Sequence, residues 1–478
     1  MSRSSSNDLN WLFYPQSVAV IGASADDQKE KVGWTGRLLD FGFQGQLYPI
    51  NPQAERILGI KSYPSILDVP DQIDYAIIGV RAAVVPKVLE QCVIKKVKAA
   101  HVYTAGFGET GTERGKRLQE DVSRIMREGS MRIIGPNCMG IYCPASGMTF
   151  NARFSKEKGC VGIVSQSGAA LLRLIPGGNK RGIYFSKVMS YGNAVDMDSP
   201  DFLEYLARDE ETKLVFCYVE GVKDGRGFYK AIRECIQRKP VIMLKGGLTE
   251  GGIGAAASHT ASLAGSEHIW RALFKQTGVI PVDSFEEVIE QMVAVQFLGT
   301  SQIRGVGVVS RGGGPGVVTT DMCERAGLLV PALTAETKEQ LKKIIPVDSG
   351  SGIRNPVEIG LSRYGLSQDY GKALQIVASD PKIDVILTRI GVESYIQYGV
   401  GNEDIDAATG VLIETAKTLA KPLAVVVDVG LTLEAIAPAL KAQEKLSTAG
   451  LAVFSTMQAA VSAISKVSRY QEFSRLNI

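Results

Sequence analysis

Short runs of β-branched and other apolar residues recur along this chain. Each closes on a glycine or a small polar residue and leads into a longer stretch whose apolar positions return at helical spacing. The clearest runs are Ser17–Gly22, Tyr75–Val80, Ala100–Thr104, Arg132–Gly135, Val161–Ser165, Leu214–Val219, Pro240–Lys245, Val306–Ser310, Val385–Arg389 and Leu423–Val427. A repeating order of strand, turn and helix predicts a parallel α/β fold. Ten strands exceed one comfortable sheet. The chain turns polar over Asn151–Gly159 and again over Gly299–Gly305, each time before a fresh strand. The pattern therefore predicts three doubly wound domains, at about 1–150, 155–300 and 303–470.

Composition agrees and removes several function classes. With 478 residues, 45% hydrophobic and 22% charged, the chain can bury substantial cores. Its formal charge of +3, with both signs interspersed, supplies no basic stripe for nucleic acid or a lipid surface. The seven cysteines include no CxxC pair and are odd in number, which reads as reduced thiols in a cytoplasmic protein, with no zinc pattern and no metal site expected. The N-terminus lacks a signal-peptide core, and no apolar stretch approaches the roughly 20 residues of a membrane span.

Open parallel sheets bind ligands at the carboxyl ends of their strands, so the chemistry is sought in the turns after the runs. After the first run, Gly22, Ala23 and Ser24 let the backbone approach an anion, with Lys29 or Lys31 near enough to meet a phosphate. Tyr48-Pro-Ile-Asn51-Pro52, Gly79-Val80-Arg81, Thr104-Ala105-Gly106 and Gly135-Pro-Asn137-Cys138 end strands on the same edge. The GxGxxG spacing is incomplete and no acidic residue takes the ribose-binding part, which disfavours a nicotinamide cofactor. A second turn, Ser165-Gln166-Ser167-Gly168, opens a helix and directs backbone N–H groups at one point, suiting an oxyanion or phosphoryl group; the alternative is a plain helix N-cap. A third, Ser310-Arg-Gly312-Gly313-Gly314-Pro-Gly316, repeats the arrangement. Adjacent glycines cost chain entropy unless close approach requires them.

Only three histidines occur in the chain. His259 stands among small residues after the flexible-looking Gly251-Gly252-Ile253-Gly254, where a neutral imidazole can serve as a nucleophile. His101 lies in an apolar run and reads as core, and His268 sits within helical periodicity. A nucleophilic histidine needs a carboxylate to fix its tautomer and stabilise its cation. Glu220, at a strand end before Gly221, is the first choice; Asp196 and Asp198 are the runners-up, though an N-cap or turn suits Asp198 better.

These segments, in this order, resemble the α subunit of NDP-forming acyl-CoA synthetases, especially the ADP-forming acetyl-CoA synthetase type within the succinyl-CoA synthetase superfamily. The motifs are VAVIGAS, YPINP, TAGFGETG, GPNCMG, IVSQSG, SYGNAVDMD, YVEG, LKGG, ASHTASLAGS, SRGGGPGV and RNPVE. The resemblance implies an N-terminal Rossmann-like CoA-binding domain followed by two flavodoxin-like ligase domains. It makes His259 the residue phosphorylated and Glu220 its stabilising carboxylate, with Ser165–Gly168 and Gly312–Gly316 the two phosphate-holding helix starts. It also implies a separate ATP-grasp β subunit holding ATP/ADP and Mg2+, in an α2β2 assembly.

Two places depart from the family pattern. Pro176-Gly177-Gly178 falls where an alanine-rich helix usually continues, which leads us to expect a shortened or distorted phosphate-binding helix, and Ala261 stands where glycine is common. The rival functions are a non-catalytic CoA-binding sensor, disfavoured because the histidine, carboxylate and SQSG motif are all present, and a nicotinamide-dependent dehydrogenase.

Overall fold

The computed structural model describes residues 8–260, 266–299, 302–311, 313–345, 352–359, 368–399, 401–430 and 432–477. The side chains of residues 257–260, 368 and 477 lie outside that description. The chain divides into two compact units, one of residues 1–176 with 184–283 and one of 177–183 with 284–478.

The first unit contains two large sheets and a two-stranded hairpin of Arg56–Ile57 with Ile60–Lys61. One is wholly parallel and has five strands, β1 (Ser17–Ile21), β2 (Gln46–Ile50), β3 (Tyr75–Ile78), β4 (Ala99–Val102) and β5 (Arg132–Ile134), in the spatial order β2-β1-β3-β4-β5. Every residue of β1, β3 and β4 is buried, as an interior parallel sheet requires. The other has six strands, β6 (Gly140–Tyr142), β7 (Val161–Ser165), β8 (Phe185–Ser190), β9 (Leu214–Val219), β10 (Val241–Lys245) and β11 (Ile280–Val282), in the order β11-β10-β9-β7-β8-β6. Only the edge strand β6 runs antiparallel.

The second unit holds β12 (Val306–Arg311), β13 (Gly352–Ile353), β14 (Val357–Ile359), β15 (Val385–Ile390), β16 (Leu423–Val427) and β17 (Ala452–Phe454), in the order β13-β14-β12-β15-β16-β17. Its core is aliphatic, with Val309, Leu374, Ile386, Val425 and Leu446 all fully buried.

Among the parallel strands of each sheet the strand order reverses once, giving switch points beside β1, β7 and β12 respectively. At such a point two successive connections leave in opposite directions, opening a crevice beyond the carboxyl ends of the adjacent strands. Three helices carry the motifs of interest. Helix α1 (Gly168–Asn179) succeeds β7, α2 (Glu250–Thr260) succeeds β10, and α3 (Gly313–Arg325) succeeds β12.

Two sequence expectations change here. Helix α1 is not shortened, because it runs through Pro176 to Asn179. A proline inside a helix costs about 3 kcal/mol, but Leu171, Leu174 and Ile175 on the same helix are buried, and that apolar burial offsets the loss. The segment Gly251–Gly254, read as a flexible stretch, is helical within α2. The adjoining Ala255-Ala256-Ala257 has the highest helix propensity available, and α2 packs on the turn Gly108–Thr110 of the first sheet's connections.

Candidate functional site

The crevices of the first unit's two sheets meet in one cavity of about 580 Å³. Gly79, Val80 and Arg81 line it from the end of β3, Tyr103, Thr104 and Ala105 from β4, and Asn137, Cys138 and Met139 from beyond β5. The second sheet contributes Gln166, Ser167, Gly168 and Ala169 after β7, Gly192 after β8 and Glu220 after β9. Glycine is needed twice at this edge. At Gly22 φ is +93°, and a Cβ would stand 2.9 Å from the Gly79 carbonyl and from Val80. At Gly192 φ is +53°, and a Cβ would run into the carbonyl oxygens of Pro136 and Asn137.

Glu220 is 6% exposed. Its Oε1 accepts a hydrogen bond from the Tyr218 hydroxyl at 3.0 Å, while its Oε2 is buried with no hydrogen-bond partner among the described residues. A buried carboxylate oxygen is costly to leave without a donor. Gln166 holds the strand end that presents this group: its Oε1 accepts from the backbone N–H of Glu220 at 2.7 Å and of Gly221 at 3.1 Å. Beneath it, Lys245 donates to the carbonyl oxygens of Glu220, at 2.7 Å, and Gly246, with its ammonium 5.1 Å from the Trp270 ring centroid. Burial pushes the Lys245 ammonium down to about 8, against the attraction of Glu220.

The SQSG turn is a helix start of mixed use. The Ser165 hydroxyl donates to the Ser167 carbonyl at 2.8 Å and is fully buried, so its side chain braces the turn rather than facing the cavity. The Ser167 hydroxyl oxygen accepts from Ala170 N–H at 3.4 Å, in N-cap fashion. Gln166, Ser167 and Gly168 do face the cavity.

The remaining first-sheet residues separate into groups. Val80, Arg81, Ala105, Asn137 and Cys138 line the cavity, while Gly106 lines a second hollow of about 460 Å³ that shares Arg81 and adds Thr110, Thr112 and Arg114. Gly22, Ala23, Ser24, Asn51 and Pro52 gather at the ends of β1 and β2, where Asn51 Nδ2 donates to the Ala23 carbonyl at 2.8 Å. There the anion-binding expectation meets an internal competitor. The buried Glu30 carboxylate accepts from Ser24 N–H at 2.7 Å and Thr35 N–H at 2.8 Å, so the backbone N–H read as a phosphate donor already holds an anion. Lys31 is exposed.

Other candidates have structural work. Asp196 accepts from Arg132 Nε at 2.9 Å and Ile133 N–H at 2.8 Å, and Asp198 caps the helix Ser199–Arg208. His101 is core: its Nε2 lies 3.0 Å from the Cys138 carbonyl, and burial pushes its imidazole down to about 4. His268 is an exposed position on the helix Glu267–Thr277. His259 falls in the last turn of α2, and its side chain lies outside the described residues. Reasoning from sequence misses Gln166 as the clamp on Glu220 and Lys245 as the cation beneath it. The Lys245-Gly246-Gly247 motif was the available signal for the latter.

In the second unit, Gly313 and Gly314 line a separate cavity of about 900 Å³, and Gly312 lies outside the described residues. Gly316 is buried where a Cβ would come within 3.1 Å of Pro356 and Ser310, so glycine here serves helix-to-strand packing. A Cβ on Gly313 would stand 3.1 Å from both carboxylate oxygens of Glu358, which places an internal anion beside the start of α3.

Among the described residues no group of three or more histidine, cysteine or acidic side chains could hold a metal ion. No helix among the described residues is long and apolar enough to cross a membrane.

Residues 16–144 match the family described as CoA binding domain, and residues 158–295 the succinyl-CoA ligase like flavodoxin domain. The chain is 40% identical over 380 residues to acetate–CoA ligase [ADP-forming] I of Archaeoglobus fulgidus, a match covering 79% of this chain and 54% of that protein. The chain thus spans about half the length of that relative. It is 38% identical to acetate–CoA ligase [ADP-forming] II subunit alpha of Pyrococcus furiosus, covering 79% of this chain and 81% of that subunit. Among solved structures, acetyl-coenzyme A synthetase 1 of Candidatus Korarchaeum cryptofilum, determined with phosphate and ADP, superposes with a TM-score of 0.84 at 29% identity, covering 99% of both chains.

Proposed function

We propose, from the premise that this chain belongs to the family of ADP-forming acetate–CoA ligases, that it carries out the acyl side of an NDP-forming acyl-CoA synthetase reaction. The observation that carries this reading is the buried Glu220 Oε2, which has no hydrogen-bond donor among the described residues, in a cavity that also presents the SQSG helix start and the strand ends of the CoA-binding fold. CoA is the substrate assigned to the two hollows that share Arg81, an elongated pair suited to an elongated ligand. Phosphate is assigned to the N–H groups opening α1 at Ser167 and Gly168. The start of α3 is the weaker phosphate donor, because Glu358 stands beside it.

Two transfers make up the acyl-side chemistry. A phosphate oxygen attacks the thioester carbonyl, the C–S bond breaks, and CoA leaves as thiolate to be protonated, giving a bound acyl phosphate. One ring nitrogen of His259 attacks phosphorus, the bond from phosphorus to the acyl oxygen breaks, and the carboxylate departs with that electron pair. The second ring N–H then carries positive character, and the Glu220 Oε2 is the acceptor for it. Gln166 and Lys245, gripping the backbone on either side, hold that oxygen in place. Transfer of the phosphoryl group to ADP, with Mg2+, is assigned to an ATP-grasp β subunit, most simply in an α2β2 assembly. None of the seven cysteines, all among the described residues, is in a disulfide, which fits a cytoplasmic setting.

The test is intact-mass analysis after incubating the chain with inorganic phosphate and acyl-CoA, beside His259→Ala. An acid-labile phosphoryl adduct that the variant lacks is the expected result. If the chain binds CoA but no acyl-CoA, and no ATP with an ATP-grasp partner, ever yields that adduct, the non-catalytic sensor is the correct reading.

A further inference from the structure

Two motifs that the reaction leaves unused meet inside the first unit. TAGFGETG follows β4, and SYGNAVDMD begins at the end of β8. Glu109, from the first, turns its carboxylate back on its own loop, where Oε1 accepts from Gly106 N–H at 2.6 Å and Phe107 N–H at 3.1 Å. Asn193, from the second, is buried and donates from Nδ2 to Glu109 Oε2 at 2.6 Å and to Gln119 Oε1 at 2.9 Å. Gln119 Oε1 also accepts from Gly108 N–H at 3.2 Å. One buried amide thus clasps the two side chains that hold the turn 106–108.

The backbone of Asn193 is itself fixed. Its N–H donates to the Pro136 carbonyl at 3.0 Å, and the Lys223 ammonium donates to the carbonyls of Asn193 at 3.0 Å and Ala194 at 2.6 Å. Lys223 lies three residues beyond Glu220, on the loop that follows β9. On the far side of the clasp, Gly108–Thr110 is the turn on which α2 packs, and α2 carries His259 in its last turn. Asn193 therefore stands between the loop of Glu220 and the seat of the histidine helix.

We propose that Asn193 is a positioning residue for phosphoryl transfer to His259: through Glu109 and Gln119 it sets the seat of α2 relative to Glu220. The assignment rests on the acyl-CoA synthetase reading. None of the three clasping side chains lines either hollow of the first unit, so the clasp acts on alignment and not on CoA affinity. Hydrogen bonds to a carboxylate are among the stronger ones, and reacting groups tolerate little displacement. Losing the clasp should slow phosphorylation on the order of 10- to 100-fold.

The experiment compares the full chain with Asn193→Ala, Asn193→Asp and Asn193→Asp combined with Glu109→Gln. N193A deletes the donor, and N193D sets a second carboxylate against Glu109. Adding E109Q returns a donor to the pair with its polarity reversed. Single-turnover phosphorylation with acetyl-CoA and inorganic phosphate is read beside the half-saturating acetyl-CoA concentration and the hydrogen exchange of α2. Both single variants should be slow, with half-saturation within about twofold of wild type and α2 exchange about tenfold faster. The double variant should recover most of the rate that N193D loses, a rescue that a general loss of stability would not give. Single variants at the wild-type rate, a loss confined to half-saturation, or an N193D defect that E109Q leaves in place overturns the proposal. If N193D does not fold, N193A decides by rate and α2 exchange together. If the wild type forms no adduct, the failure lies with the reaction, and α2 exchange still decides the clasp: faster in the single variants and reversed in the double supports it, and unchanged exchange overturns it.

Discussion

Replacing Glu220 with glutamine tests the role of its carboxylate with almost no change of shape. The variant retains an oxygen for the Tyr218 hydroxyl, which now lies 3.0 Å from Oε1, and retains the backbone bonds to Gln166 and Lys245. What it loses is the charge on Oε2, the oxygen with no donor among the described residues. A hydrogen bond to a charged group contributes about 1.5–3 kcal/mol. If it forms only as the histidine becomes cationic, its loss appears in the rate as about 10- to 150-fold slower phosphorylation. The folded state should not suffer, because removing a buried, half-satisfied charge relieves desolvation. The assay is single-turnover formation of the acid-labile adduct at saturating acyl-CoA and phosphate, paired with urea unfolding. An E220Q chain phosphorylated at the wild-type rate would refute the assignment. So would one that is slow only because it is unfolded by several kcal/mol.

The same geometry sets two further outcomes. Gly192→Ala forces a Cβ at φ +53° into the carbonyls of Pro136 and Asn137, so it should destabilise the unit by about 1–3 kcal/mol and weaken CoA binding, read by urea unfolding and titration. His101 is held neutral down to about pH 4, while an unfolded chain takes up the proton near 6.5. Between those values the unfolded state binds more protons, so stability falls as pH drops through that window, by up to about 3 kcal/mol. His101→Leu should flatten this part of the pH–stability curve, and an unchanged slope would show that the ring titrates normally.

The longer apolar runs were the legible part of this fold, since all ten are strands within a residue or two. Most strands that escaped notice are short or lie at edges; the exception is the buried interior strand Phe185–Ser190, whose Ser186 and Lys187 hide its apolar character. Gln46–Ile50 and Ile280–Val282 both contain a proline, Pro49 and Pro281, which an edge strand tolerates and which breaks the apolar signature used to find strands. At the site, Glu220 and the SQSG turn could be named because each sits at the end of a readable strand. The grip of Gln166 on Glu220 joins residues 54 apart in the chain, and no local pattern announces it. The same holds for Glu30, whose carboxylate turns back onto Ser24 and occupies what the glycine spacing suggested was open. The second unit's cavity is the extreme case, since its wall converges from β12, α3, β15 and the residues beyond.

Helix α2 carries glycines at 251, 252 and 254, each costing about 1 kcal/mol against alanine, and its 11 residues fall below the roughly 12–15 at which isolated helices persist in water. Its amide protons should therefore exchange with solvent at an opening free energy about 3 kcal/mol below that of an alanine counterpart. Under the proposed reaction, movement of His259 would draw on the same local equilibrium that hydrogen exchange measures, so alanine at those three positions should change the rate of phosphoryl delivery and leave the rate of His259 phosphorylation unchanged.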